Sequence, residues 1–588
     1  MESYWSRYWR RRVSRRAVLG GAAAGAAGLG ALAIAGCGDD DDDDDDATPV
    51  ATAAPATEAA TEAATEAAAT EAAAPAGGQV QGGVFNIEGA SREPDVFDPA
   101  ITILGGTYSL GLGYVYSRII KYDDKFNILP DIAMPPEQPD EVTYIFTIRD
   151  NVHWHDLPPA NGRKFTAEDA VFGVTRMAKD NPEFVFGSKL DTAQSHEAID
   201  ESTYKLVTSV PHAPMITVIA DDAYLMVNKE QNDAVGDEGI KLYENMVGTG
   251  AFVRGELEVG VGSHLDRNPN FYEPGQPWLD QVNFIPIADR SARGAAFRSR
   301  QIDASSFITG NVKQAVEELQ AEFGDAIQSR PKVLSSTYDI DLNLTREPYG
   351  DKRVRQALHL AADRDSFQNA WGKEAGLTMT AVPQAGYFPL YGRTQEEMAE
   401  LPGYRQPKDQ DIADAKKLLE AAGFGDGLNL TTLKQGYIGN HGIAFKENLK
   451  QIGVELELNE VPTTEWIVAR QQKNFDMCIA SNNGAIDPGH YIDTRFHSGG
   501  SFNFASYNNP DFDALVEKQR GLVDIEERAA VIREADDFLL DEAPHIFSAQ
   551  IVFHPTWWSY LKDVVLVAGL TSWFQQLWID PAEKERIG

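Results

Sequence analysis

The stretch TYDIDLNLTREPYGDKRVRQALHLAAD, residues 337–363, carries the clearest fold signal in the chain. Its first part, TYDIDLNL, alternates apolar and polar side chains with the period of two typical of a half-buried strand. A turn, REPYGD, follows, and KRVRQALHLAAD has the apolar spacing of an amphipathic helix. Asp351 stands where this helix begins and is predicted to be its N-cap. A strand, a turn and a helix in this order indicate an α/β domain.

Similar patterns occur on both sides of this stretch. Residues 144–152, YIFTIRDNV, predict a strand, and residues 165–180 predict a helix with Thr166 and Asp169 at its start. Residues 411–424, DIADAKKLLEAAGF, predict a helix that ends at Gly423. Residues 443–480 have the pattern of helix, glycine turn, strand, helix and strand. The fold class is therefore mixed α/β.

About 500 residues follow Gly83, which is too many for one hydrophobic core, so two or three lobes are expected. Within them Cys478 is the only cysteine and cannot form an internal disulfide. Its surroundings, FDMCIA, predict a buried position in a core strand.

The N-terminal region has the layout of an export signal. Arg15 and Arg16 precede an Ala/Gly-rich run that ends at Cys37. SRRAVL resembles the twin-arginine export signal, and IAGC, residues 34–37, resembles a lipoprotein lipobox. The resemblance implies cleavage after Gly36 and acylation of Cys37, whereas an uncleaved membrane anchor is the alternative.

Residues 37–83 predict a disordered linker. Eight aspartates, 39–46, repel one another, and the Ala/Thr/Glu tract after them has no apolar face to bury. Calcium binding by the aspartates is the alternative to a solvated spacer. Of the formal charge of −37, the residues after Gly83 contribute −30. This charge argues against nucleic acid or an anionic membrane surface as a partner.

A series of motifs from about Gly82 to Gln550 resembles one family. In chain order they are PDVFDPA, SRIIKYDDKFNILPD, YIFTIRDNVHWHD, FTAEDAVFGVTR, VGTGAFV, LDRNPNFY, LNLTREPYGDKRVRQALHLAADRD, DAKKLLEAAGF and FASYNNPDFDALV. Together they resemble the extracytoplasmic solute-binding proteins of ABC transporters, in the oligopeptide, dipeptide and nickel class. The resemblance implies two α/β lobes around a hinged cleft, with a third domain inserted in the first lobe.

The resemblance also implies domain boundaries. It assigns 84–124, 250–332 and 545–588 to lobe I, 125–249 to inserted domain II, and 333–544 to lobe III. Hinge strands are expected near 331–338 and 543–550.

The family role implies the partners. A solute held between the lobes stabilises the closed form, and an ABC permease with its ATPase then imports the solute. The expected protein is a lipid-anchored monomer outside the cytoplasmic membrane, without a cofactor, and its solute is a peptide or a peptide-like molecule.

The resemblance places one group of cleft candidates in the loop SNNGAIDPGHY, residues 481–491. Peptide-binding relatives carry an Asp that binds the ligand's α-ammonium, and Gly484 stands at the matching position here. This departure weakens the assignment of a peptide ligand. Asn482 and Asn483 are candidates for binding polar ligand groups, with ordinary turn asparagines as the alternative. Asp487 is a further candidate, for which a structural turn or helix cap is the alternative.

Five more cleft candidates come from other loops and helices. Tyr108 is a candidate for stacking on the ligand, and Tyr387 and Phe388 are candidate aromatic walls, with core packing as their alternative. Trp466 begins a helix near the cleft in relatives, with the lobe core as its alternative environment. Lys434 lies close to the position of a carboxylate-binding cation in dipeptide binders, with a solvated lysine as the alternative.

Besides solute binding, the first function class, the sequence leaves two other classes open and contains one motif that resembles a metal site. His153, His155 and Asp156 in HWHD resemble metal ligands, but a His-x-His pair in a strand needs a third ligand from elsewhere, so no metal site is predicted. An exported hydrolase is the second class, although the sequence has no Gly-x-Ser-x-Gly, His-Glu-x-x-His or Cys-x-x-Cys motif. A ligand-sensing receptor with the same fold is the third.

Overall fold

The structure is a computed structural model. It describes residues 78–89, 96–101, 111–123, 127–178, 181, 184, 187–221, 224–287, 289–305, 312–371, 376–382, 390–435, 439–482, 487–566 and 575–588. Cys37, Arg15, Arg16 and nearly all of the predicted linker lie outside these ranges.

The strands in chain order are β1 (Val84–Gly89), β2 (Ile120–Tyr122), β3 (Ile128–Pro130), β4 (Thr143–Thr147), β5 (Ala193–Ala198), β6 (Thr203–Thr208), β7 (Phe252–Glu258), β8 (Gly262–Arg267), β9 (Gln281–Pro286), β10 (Ala304–Ser305), β11 (Ile327–Ser329), β12 (Lys332–Leu342), β13 (Gly376–Thr378), β14 (Leu428–Lys434), β15 (Val454–Glu460), β16 (Met477–Asn482), β17 (His545–Phe553), β18 (Thr556–Trp558), β19 (Leu561–Lys562) and β20 (Trp578–Ile579).

The α-helices are Leu112–Val115, Ala167–Met177, Met215–Ile219, Lys229–Ile240, Arg290–Arg298, Val312–Phe323, Lys352–Ala361, Arg364–Trp371, Gln395–Ala399, Asp409–Ala421, Gly439–Lys450, Thr463–Gln471, Pro488–Phe496, Pro510–Arg520, Ile525–Glu542 and Pro581–Arg586. Short 3₁₀ helices span Gly187–Leu190, Tyr243–Asn245 and Gly324–Ala326.

The elements predicted from 337–363 are confirmed. Strand β12 is followed by the helix Lys352–Ala361, and the Asp351 side chain caps that helix by accepting from the backbone N–H of Arg353. The helix predicted at 411–424 spans Asp409–Ala421, and Gly423 follows with a φ of 90°. At that φ a glycine carries no Cβ penalty, which explains why the helix ends there. Cys478 is buried in β16, as predicted.

Two predicted elements are shorter than expected. The strand expected over 144–152 ends at Thr147, because Ile148 forms a bridge with Ala133 and the Arg149 N–H bonds the Ile132 carbonyl instead of β6. The helix expected over 165–180 spans Ala167–Met177. At its start the Thr166 N–H donates to the Asp169 carboxylate over 2.9 Å, so these two residues form the predicted cap.

The first large sheet has seven strands in the order β11-β18-β10-β1-β9-β8-β7. A three-stranded sheet, β4-β6-β5, belongs to the segment 127–249. One continuous apolar cluster contains buried residues of both sheets, from Phe85 through Phe146 and Tyr204 to Trp558. A buried ion pair also links the helix Ala167–Met177 to Asp98, because Arg176 donates two hydrogen bonds of 2.9 and 2.6 Å to the Asp98 carboxylate. We call these two sheets with their shared core the first body.

The second large sheet has six strands in the order β13-β17-β12-β16-β14-β15, and the helices from Lys352–Ala361 to Ile525–Glu542 accompany it. We call this part the second lobe. Two residues connect β11 to β12, and two connect β17 to β18, so the chain crosses between the large sheets twice. The crossings are neighbours, since Lys332 pairs with Phe553. Each contains a proline, Pro331 or Pro555, which has no N–H to continue a strand ladder.

Sheet membership differs from one of the expected boundaries. Strand β17, which begins at His545, pairs with β12 and β13 of the second lobe, whereas 545–588 was expected in lobe I. The chain changes sheet only after Phe553. Which parts of the chain move together as lobes I, II and III stays a prediction. Among the described residues, no helix combines the length and the apolar character that crossing a membrane requires.

Candidate functional site

The carboxyl ends of three strands lie at one edge of the second lobe. β14 and β15 are parallel with Lys434 opposite Glu460, and β16 runs parallel to β14. In open α/β sheets, ligands bind in the crevice outside such carboxyl ends. Lys434 and Asn482 therefore lie at the same edge. Two more candidates belong to the connections that leave it, Trp466 after β15 and Asp487 after β16.

Lys434 is held by an ion pair at this edge. Its Nζ lies 2.5 Å from the Glu460 carboxylate, and the side chains are 8% and 59% exposed. The next residue, Gln435, is buried, and its Oε1 accepts no hydrogen bond within the described part of the chain. The edge therefore combines an ion-paired cation with an acceptor that a bound donor can satisfy. Sequence reasoning missed Glu460 and Gln435, because the pairing depends on strand register.

Asn482 belongs to a buried polar network under the edge. The Arg470 guanidinium donates to its Oδ1, and its Nδ2 donates to Asp339 over 3.1 Å. Arg470 also bonds Asp341 over 2.8 Å. Both aspartates belong to β12 and are fully buried. The amide of Asn482 therefore fixes the end of β16, directly before the residues 483–486 of the expected cleft loop.

The pKa values of the two aspartates in this network are shifted in opposite directions. Burial raises the pKa of Asp339, against the opposing charge of Arg495. Burial also disfavours the charged form of Asp341, but the positive charge of Arg470 and its hydrogen bond outweigh burial and lower the pKa. Asp341 is thus the anionic partner of Arg470.

The Asp487 carboxylate is fully engaged in protein contacts. It caps the helix Pro488–Phe496 by accepting from the His490 N–H over 2.8 Å, and it accepts two bonds of 2.7 and 2.6 Å from Arg528. Burial opposes its charge, but Arg528 outweighs this effect and lowers the pKa. These contacts correspond to the helix cap that was the alternative interpretation of this residue.

Trp466 packs inside the second lobe. It belongs to a buried cluster with Phe475, Cys478 and Ala480, and its ring lies 5.1 Å from the Arg470 guanidinium. Its contacts correspond to the lobe-core alternative. The other ligand candidates, Tyr108, Tyr387, Phe388, Asn483 and Gly484, lie outside the described residues.

The first body has a comparable edge. β1, β9 and β10 are parallel, so their carboxyl ends lie together. Near this edge the buried Glu88 accepts a bond of 3.0 Å from Ser305 and lies 3.2 Å from the Arg293 guanidinium. Each large sheet thus has an ion pair between protein side chains at its carboxyl edge, Lys434 with Glu460 in one and Glu88 with Arg293 in the other. The sequence offered no spacing signal for Glu88, Ser305 and Arg293, because they are far apart in the chain.

The HWHD segment contacts the residues just before strand β7 in the first body. His155 Nε2 lies 3.1 Å from the Gly250 carbonyl, and the Gly248 N–H donates to His155 Nδ1 over 3.3 Å. Burial lowers the pKa of His155 to about 4. A neutral ring with its proton on Nε2 satisfies both contacts. Across the described ranges, no three His, Cys, Asp or Glu side chains are grouped so as to hold a metal ion.

The sequence model of a family described as "Bacterial extracellular solute-binding proteins, family 5 Middle" matches residues 127–503, well over half of the chain. The chain belongs to this family. Family 5 solute-binding proteins are binding proteins of ABC transport systems rather than enzymes.

Individual relatives agree with the family assignment. The periplasmic murein peptide-binding protein MppA of Escherichia coli is 26% identical over 484 residues, covering 77% of this chain and 85% of that protein. Among solved structures, the Helicobacter pylori protein DppA with the peptide STSA has a TM-score of 0.74 at 20% identity, covering 85% of this chain and 99% of DppA. The A. tumefaciens R10 protein AgaA with agropinic acid has a TM-score of 0.72 at 21% identity, covering 84% of this chain and 99% of AgaA. The fold is therefore that of the periplasmic binding proteins, as expected from the sequence motifs.

Proposed function

We propose that this protein captures a peptide or peptide-like solute between its two lobes and delivers it, chemically intact, to an ABC permease for import. The observation that carries the proposal is the pair of adjacent chain crossings between two large sheets that each have a parallel carboxyl edge. Two lobes joined by such short crossings can rotate about them, and a solute that contacts both lobes stabilises the closed arrangement.

The relatives support a solute with polar ends. The names of MppA and of the DppA complex specify peptides, whereas AgaA holds agropinic acid. Here Lys434, oriented by Glu460, is proposed to attract a carboxylate, and Gln435 to accept a hydrogen bond from the solute. Gly484 in place of the expected ammonium-binding Asp favours a peptide-like solute over a free α-amino peptide. Tyr108, Tyr387, Phe388 and Asn483 stay proposed contacts of the same cleft.

The N-terminal motifs support a protein that is tethered to the membrane. Acylation of Cys37 is proposed to hold the protein at the outer face of the cytoplasmic membrane, with residues 38–83 as the spacer. Export is proposed to depend on Arg15 and Arg16. Replacing Cys37 by Ser is expected to move the protein from the membrane fraction to the soluble fraction, and replacing both arginines by Lys is expected to stop export.

The central test is native mass spectrometry of the full-length protein, purified without denaturation. A bound small molecule is expected, which unfolding releases unchanged and which raises the melting temperature when it is added back. A protein that is always empty, and that no peptide or organic-acid library stabilises, would contradict the proposal. Release of a cleaved product would instead favour a hydrolase.

The role of Lys434 is tested with a matched pair of variants. Lys434→Gln is expected to weaken retention of the copurified solute about tenfold or more, because a charge-assisted contact is lost. Lys417→Gln is the control, since Lys417 is exposed and pairs with Asp414 on a helix of the same lobe. Equal retention of the solute by both variants would show that Lys434 does not contact the solute.

A further inference from the structure

A small polar interface joins the segment 127–249 of the first body to the second lobe. Arg520, the last residue of the helix Pro510–Arg520, accepts a hydrogen bond of 2.8 Å at its carbonyl from the Ala213 N–H. Its guanidinium lies 3.5 Å from the carboxylate of Asp191. A cavity of about 140 Å³ lies beside these contacts and is lined from both sides, by Asp191 and His212 and by Asp493 and Arg520 among others. We call these five residues the interdomain seam.

Each side of the seam is held in place by its own body. In the second lobe, two bonds of 2.8 and 2.7 Å from Arg520 to Asp493 fix the guanidinium on the neighbouring helix. In the first body, His212 Nδ1 lies 2.7 Å from the Thr192 hydroxyl, and the His212 carbonyl accepts from Tyr144 over 3.0 Å. The seam contacts are therefore formed between two preorganised surfaces.

The two surfaces belong to parts with separate cores. The buried members of the large apolar cluster come from 85–327 and 557–579, and the second lobe adds only the partly buried Val333 and Tyr391 to it. The contact at the seam is polar, and Asp191 is 45% exposed there. A polar contact that is open to water can separate and reform without uncovering an apolar core.

From these contacts we infer that the interdomain seam is a latch: Asp191 and Ala213 bind Arg520 only when the two lobes are closed, and so they stabilise the closed form without touching the solute. Arg520 is thus a positioning residue for closure. The inference rests on the proposed hinge motion, and it concerns contacts between protein groups rather than contacts with the solute.

The carbonyl of Arg520 explains why this contact is favourable. The last four carbonyls of a helix have no partner within the helix, and the C-terminus carries a partial negative charge. In the seam, the Ala213 N–H supplies a partner from the other body. Opening exchanges that bond for one to water, so the latch changes the balance between open and closed forms only modestly.

Hydrogen exchange of the Ala213 amide in the full-length protein measures the latch directly. Asp191→Asn is expected to speed this exchange about two- to fivefold, because an exposed ion pair contributes little. Asp191→Lys, which places two cations together, is expected to speed it further. Amides of β1, β9, β12 and β16 are expected to exchange as in the unaltered protein, since both cores stay intact.

Asp233→Asn is the matched control. Asp233 is similarly exposed and pairs with Lys229 within the segment 127–249, away from the seam. Unchanged Ala213 exchange in Asp191→Lys, or equal acceleration by Asp233→Asn, would overturn the inference. Each variant is compared with the unaltered protein in the same solute state, as purified and after removal of any copurified molecule, so a failure of the latch is distinguished from the absence of a bound solute.

Discussion

The first body and the second lobe both bury paired charges, and they differ in how those charges are grouped. In the first body, one apolar cluster runs through two sheets, with rings such as Trp558 and Phe297 stacked 5.3 Å apart. In the second lobe, buried charges collect under the carboxyl edge, where Asp339, Asp341 and Arg470 lie together. In the first body, a shared apolar cluster together with the buried Arg176–Asp98 pair holds two sheets together, whereas the charged network of the second lobe orients side chains at one edge. Four substitutions with matched controls test this difference, in order of decreasing expected effect.

The largest effect is expected in the apolar core. Trp558 is fully buried, stacks on Phe297 and meets Phe323 edge-on at 5.0 Å. Trp558→Ala is expected to lower the free energy of unfolding by about 3–5 kcal/mol, measured by urea denaturation with circular dichroism. Trp578→Ala is the control, because Trp578 is only partly buried and bonds Asp563. Equal losses of unfolding free energy in both variants would contradict the expectation that the packing of Trp558 in the core stabilises the first body.

The second effect tests the buried charges. Asp487→Asn keeps a side chain that can cap the helix but leaves the buried Arg528 without its anion. The expected loss of stability is about 3 kcal/mol, measured in the same way.

Asp351→Asn is the matched control for Asp487. Asp351 also caps a helix and pairs with an arginine, Arg353, but the two side chains are 25% and 49% exposed. Its loss is expected to be below about 1 kcal/mol, because water already screens the pair. If the two variants lose the same free energy of unfolding, burial does not control how much these ion pairs contribute to stability.

The third effect concerns a polar group inside the first body. The pKa of buried His155 lies near 4, below its ordinary value, so the folded form binds the proton less well than the unfolded form. The stability that neutral His155 contributes is complete above about pH 6.5 and is lost as the pH falls toward 4. Its share of the loss between pH 7 and pH 5 is about 2 kcal/mol. We expect His155→Asn to show that much less acid sensitivity in thermal unfolding.

His153→Asn provides the comparison for His155. The His153 ring is only partly buried and lies 3.2 Å from the Asn151 carbonyl. Its pH profile of melting temperature is expected to match that of the unaltered protein. A profile of His155→Asn that is parallel to this one would show that His155 does not contribute to the acid sensitivity.

The smallest effect is expected at the rim of the candidate site. Glu460→Gln removes the partner of Lys434 while keeping the shape of the side chain, and the loss is expected to be about 1 kcal/mol or less, because Glu460 is largely exposed. Glu457→Gln on the same strand is the control, with no measurable change in melting temperature expected. A large loss in Glu460→Gln would mean that this pair belongs to the lobe core rather than to its edge.

Local elements and the family could be read from the sequence. Alternation and helical spacing predicted β12 and the helix after it, because these patterns depend only on which side chains face a core. The burial of Cys478 followed from a single thiol among apolar neighbours. The series of motifs along the chain indicated the family before any contact was known, since the order of elements is written along the chain.

Contacts between distant side chains depend on the folded chain. Asp487 and Arg528 are 41 residues apart, and Asn482 and Asp339 are 143 apart, so no spacing could pair them. The register of β14 and β15 brought Glu460 to Lys434, and the packing of two bodies brought Asp191 to Arg520. Such partners are fixed by strand register and by the contact of separate surfaces, which are properties of the folded chain rather than of any local segment.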